Sequence, residues 1–111
     1  MNRDDVLNQA SKLLKGPRAK DYGDALINHQ RIAIGWDVIA KTAIKKHGKI
    51  TAAHVALMMD WVKTSRLLES IDHKDSWIDK AGYTGLGGEF ALKKEERKFG
   101  RITDGDVRTK K

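Results

Sequence analysis

Between Thr51 and Ser70 the chain carries apolar residues on almost every side of a helix, and no other feature limits the fold as tightly. At about 100° per residue, Val55, Leu57, Met58, Trp61, Val62 and Leu68 fill one wide arc, while Ala56, Met59 and Leu67 carry apolar surface round to the other side. Such a helix has little surface to offer to water. It belongs in the middle of a bundle, and Thr51, whose hydroxyl can accept from a free N–H of the first turn, is its expected N-cap.

The rest of the chain supplies the covering helices. One proline, ten glycines and no sustained alternation of β-branched residues speak against a sheet. Residues 4–15 set Val6, Ala10, Leu13 and Leu14 on one stripe, open with two acids and stop at Gly16-Pro17. Residues 24–46 stack Ile32, Trp36, Ile39, Ala40, Ala43 and Ile44, and His47-Gly48-Lys49 combines basic residues and glycine in a C-terminal stop. A fourth helix is expected from a cap at Asp72 or Asp75, through Trp77 and Ile78, toward Gly82. The glycines of 82–89 read as helix termination and close helix packing, because no strand precedes them and no Gly-Lys-Ser/Thr follows. The expectation is an all-α bundle of about four helices, one domain over residues 1–92, with segment 51–70 central and Trp36, Met58, Trp61 and Val62 largely buried. In a chain of 111 residues three short partners do not cover so apolar a helix, so a homo-oligomer is expected.

Charge is concentrated at the end. Residues 93–111 hold eight basic and four acidic residues, more than half of the net +7, and read as a basic C-terminal tail of solvated or disordered character. The basic balance favours polyanionic partners: a nucleotide, nucleic acid or an acidic protein. The absence of cysteine excludes disulfides, thiolate catalysis, zinc ribbons and iron–sulfur clusters. No stretch approaches the roughly 18 apolar residues of a membrane span, and no apolar signal core opens the chain, so a cytoplasmic protein is expected.

Two groups of residues carry possible chemistry. Lys63 and Arg66, three apart, share a face of the third segment with Met59 and Ser70, which expect burial. A buried cation needs a carboxylate, a phosphate or a water-filled cleft; the plainer reading is that both long side chains snorkel to the helix edge. Asp75 and Asp79, four apart, place two carboxylates on one helix face, with Tyr83 a turn further. Two acids suffice for magnesium when a nucleotide completes its shell, whereas a structural reading has Asp75 capping the helix and Asp79 pairing with Arg66 or Lys63. His29, His47, His54 and His73 lack zinc-helix spacing; His54 reads as a hydrogen-bonded core residue, and His73, next to the acids, as the one histidine placed for substrate contact.

Taken together, Arg18-Ala-Lys-Asp-Tyr22-Gly23, then Asn28, Ile32-Ala33 and Trp36, then Val55-Ala-Leu-Met-Met59 with Lys63 and Arg66, and Asp75-Ser-Trp-Ile-Asp79-Lys-Ala-Gly82-Tyr83 resemble a small family of phage and prophage proteins across about residues 18–89. That family is in turn distantly similar to the MazG-like all-α nucleoside triphosphate pyrophosphohydrolases, which are usually dimers or tetramers and use magnesium to split a (deoxy)nucleoside triphosphate into monophosphate and pyrophosphate. The resemblance implies Asp75 and Asp79 as metal ligands and catalytic acids, Lys63 and Arg66 as phosphate clamps, Tyr22 or Trp61 as base-stacking rings, and the host cytoplasm as the site of action. This chain departs from the MazG-like pattern in one respect. Where the preceding helix should offer Glu-x-x-Glu it offers Lys63-x-x-Arg66, a pair suited to phosphate and poor for magnesium. The other reading is a non-catalytic accessory protein that binds nucleic acid or an acidic host protein through its basic surface.

Overall fold

The computed structural model describes residues 1–16 and 24–93, and these form four α-helices and no strand. They are α1 (Arg3–Lys15), α2 (Ala25–His47), α3 (Ala52–Glu69) and α4 (Lys74–Leu92). The all-α expectation therefore holds; the basic tail of 93–111 lies outside the described residues beyond Lys93.

Each helix starts where a side chain can serve the free N–H groups of its first turn. Asn2 and Asp5 make a reciprocal capping box on α1, and Asp24 Oδ1 accepts from Leu26 and Ile27 at the start of α2. Thr51 caps α3 as expected, in a box closed by His54 Nδ1. Gly48, at φ 78°, ends α2 in the left-handed conformation that glycine adopts without steric cost.

Helix α4 departs from expectation at both ends. Its N-cap is His73 rather than Asp72 or Asp75, and it runs to Leu92 instead of ending near Gly82. Each interior glycine costs a helix up to about 1 kcal/mol relative to alanine, so propensity alone argues for a stop. Packing against α3 overrides it. A Cβ on Gly87 would stand 3.0 Å from Ala56 Cβ, so the two backbones approach closely at this point.

Helix α3 is central, with α2 on one side and α4 on the other. Two indoles lock the α2–α3 interface: Trp36 Nε1 donates to the Met58 carbonyl (2.8 Å) and Trp61 Nε1 to the Arg31 carbonyl (3.0 Å). The expected depth of burial is not reached, however. Trp36, Met58, Trp61 and Val62 are half-buried, and the fully buried apolar residues among those described are Ala43, Ala56 and Leu67. The reason is geometric: two neighbours cover two sides of α3 and leave its flanks open, so Val55, Leu57 and Leu68 stay about half exposed. Helix α1 buries no residue, and Val6, Leu13 and Leu14 of its apolar stripe are exposed.

Candidate functional site

The α3–α4 interface carries a ladder of charges. Asp60 of α3 accepts from Lys80 of α4 at 2.7 Å, and three residues on, with the signs reversed, Lys63 meets Asp79 at 3.2 Å. The spacing explains the ladder, since residues three apart on α3 share the face that meets α4. Lys63 is the more enclosed partner of its pair, its side chain 26% exposed against 50% for Asp79.

Arg66, one turn beyond Lys63, is 9% exposed. Its Nη2 donates to His73 Nε2 at 2.9 Å, while His73 Nδ1 lies 2.8 Å from the Ser76 hydroxyl. His73 thus does two jobs: it opens α4, and it fixes the guanidinium of α3. Ser76 beneath it is buried, and so is Ser65, which adjoins Arg66 in the chain and donates to Asn28 Oδ1 on α2 (2.7 Å). Asn28, Ser65, Arg66 and Ser76 are the buried polar residues of the described chain. Arg31 closes this end by donating to the Ser65 carbonyl and to Glu69 (3.0 Å).

Lys63 and Asp79 are therefore in direct contact, and Arg66 sits beside them on His73. Asp75 occupies the exposed first turn of α4 and, among the described residues, makes no ion pair; an acid there favours the positive end of the helix dipole. Trp61 has its indole against Gly35 and its N–H committed to the Arg31 carbonyl. Tyr22 lies outside the described residues. His54 is hydrogen-bonded as expected, to Thr51, with its ring 5.2 Å from that of His47.

Sequence reasoning missed Asp60–Lys80, Asn28–Ser65 and the anchoring of Arg66 by His73. The first had a readable signal: Asp60 is an acid inside the otherwise apolar run of residues 55–62, three residues before Lys63. Ser65 also interrupts the apolar pattern, but nothing in the sequence points from it to Asn28, which is 37 residues away.

Among the described residues no group of three or more His, Asp or Glu gathers to hold a metal, and no helix is long and apolar enough to cross a membrane. Residues 5–91 match a family described as a domain of unknown function, DUF6378. The Gene 55 protein of Mycobacterium phage L5 is 39% identical over 92 residues, which cover 83% of this chain and 56% of that protein. The Gene 55 protein of Mycobacterium phage D29 is 32% identical over 80 residues, covering 72% and 49%. The chain spans about half the length of these relatives, which are phage proteins, in keeping with the resemblance drawn from its motifs. No solved structure matches it significantly.

Proposed function

This chain belongs to the DUF6378 family, and we propose that its α3–α4 face binds the phosphates of a nucleotide, with Lys63 and Arg66 as the cationic clamp. The observation that carries this reading is the pairing of a nearly buried guanidinium with a neighbouring ammonium on one helix face, opposite the acid-bearing face of α4. Arg66 is already oriented by His73, so little freedom is lost when it donates to a phosphate oxygen. Lys63 exchanges Asp79 for phosphate, a cheap exchange because the existing pair is half exposed and worth at most about 1 kcal/mol.

Asp75 and Asp79 offer two hard oxygen donors one turn apart, and both are accessible. This set fits a magnesium that completes its shell with phosphate oxygens and water. Bound together with a nucleotide, magnesium would neutralise charge spread over the phosphates, the condition that MazG-like pyrophosphohydrolysis requires. Asp75 and Asp79 would hold it, while Lys63 and Arg66 orient the chain of phosphates.

The test is a thermal-shift screen of common (d)NTPs with and without magnesium, followed by an assay for released pyrophosphate. Wild-type protein is expected to be stabilised by a nucleotide. Asp79→Asn should lose the magnesium-dependent part of that gain while keeping its fold. Failure of every nucleotide to stabilise the wild type, with no pyrophosphate released, overturns the reading. The alternative then leads: binding of nucleic acid or an acidic protein through a basic face, favoured by Lys41, Lys45 and Lys46 lining one shallow surface of α2, and recognised by affinity that falls steeply with salt.

A further inference from the structure

Helix α1 buries no residue and, among the described residues, packs extensively against no other helix. Val6, Leu7, Ala10, Leu13 and Leu14 fall within about 120° round it, and the four large side chains are each more than half exposed. A helix of 13 residues is marginal in water by itself and draws its stability from packing of its apolar face. A second open apolar surface runs along one flank of α3 and α4. Ala53, Ala56, Leu57, Gly87, Gly88 and Ala91 line a hollow of about 300 Å³ between these helices, and Thr84 stands at its edge. The pairs Asp60–Lys80 and Lys63–Asp79 fix the antiparallel register, which sets Leu57 level with Thr84 and Thr64 level with Trp77. Seven residues separate Leu57 from Thr64 and Trp77 from Thr84, so each pair shares a helix face and the groove continues from the hollow to Trp77, with Leu68 beyond. Trp77 gives its N–H to the Ile71 carbonyl and is half exposed, so the ring offers this groove apolar surface.

We propose that α1 closes this groove in its own chain, lying parallel to α3 and antiparallel to α4. Spacing supports α1 as the occupant. Val6 and Leu13 are seven residues apart, the same step of about 10 Å that separates Leu57 from Thr64 and Trp77 from Thr84. Val6 then fills the hollow beside Leu57 and Thr84, Leu13 and Leu14 cover Trp77 and Leu68, and Ala10, without bulk, passes over the Asp60–Lys80 pair. The tether sets the direction. Helix α2 starts beside the end of α3, where Asn28 meets Ser65, and the parallel arrangement brings Lys15 to that same end. Residues 16–24 reach up to about 30 Å when extended, well beyond the 8–10 Å between packed helices. A tether this short holds α1 at an effective concentration on the order of millimolar, which favours it over a helix from another molecule. The contact uses none of the residues assigned to phosphate or magnesium.

The chain has no cysteine, so two introduced thiols report the contact without a background. Mild oxidation of the Val6→Cys/Thr84→Cys variant should form a disulfide within one chain, since both positions are exposed in the undocked structure and come together only when α1 docks. Asn8→Cys/Thr84→Cys should not link, because Asn8 lies about 200° round α1 from Val6. Hydrogen exchange on the full wild-type chain should find the α1 amides slowed roughly tenfold or more, whereas a detached helix exchanges at close to the unfolded rate. Leu13→Glu should remove that protection and leave the amides of α2, α3 and α4 as they were, since Leu13 is exposed in the undocked structure. Unprotected α1 amides in the wild type overturn the proposal. Protected amides without the Val6–Thr84 link do so too, because α1 then covers another face, such as that of α2. A link found only between chains also overturns it, since α1 then occupies the groove of a second copy.

Discussion

At the scale of single residues, two glycines give opposite predictions. A Cβ at Gly35 would fall inside the Trp61 indole, which is held in place by its bond to the Arg31 carbonyl. Gly35→Ala gains up to about 1 kcal/mol in helix propensity but forces the indole or the helix to move, at about 1–3 kcal/mol, so denaturant unfolding should show a net loss. Gly85 meets nothing within 4 Å, and Gly85→Ala should stabilise by about 0.5–1 kcal/mol. Ser65 is fully buried and donates to Asn28 Oδ1, so Ser65→Ala leaves that oxygen without its donor and should cost about 1–3 kcal/mol. None of these three effects is legible in the sequence. Periodicity tells which residues share a face, but not which side chain of another helix stands opposite.

At the scale of the helices, the sequence predicted most boundaries to within a residue or two, because caps are local chemistry. Thr51 and Gly48 were readable from residue type alone. The start of α4 was not, since His73 is a less common cap than the aspartates on either side of it, and its choice follows from its contacts with Arg66 and Ser76. The far end of α4 was hidden by glycines that a packed helix tolerates and an isolated one does not. Asp24 offers a direct test of cap energetics, as its carboxylate alone serves both Leu26 and Ile27 N–H. Asp24→Ala should lower stability by about 0.5–2 kcal/mol, read from the unfolding midpoint at unchanged denaturant slope.

At the scale of the molecule, the architecture follows from a central helix with two sides covered and two flanks left open, and the candidate site follows from where the charges of that helix meet α4. The sequence pointed to Lys63 and Arg66 because charged residues on an apolar helix demand an explanation, and to Asp75 and Asp79 because residues four apart share a helix face. It did not reveal that His73 holds Arg66, or that Asp60 and Lys80 brace the same interface, since both depend on how α4 docks. Phosphate recognition by this face can be measured by titration calorimetry of a nucleoside triphosphate into wild-type and Lys63→Gln protein. Loss of one charge-assisted bond is worth about 1.5–3 kcal/mol, so Lys63→Gln should weaken binding by roughly 10- to 150-fold, while the half-exposed Asp79 it leaves behind should change folding stability by no more than about 1 kcal/mol. Equal affinity for the two proteins, or no heat of binding to the wild type, would contradict the account.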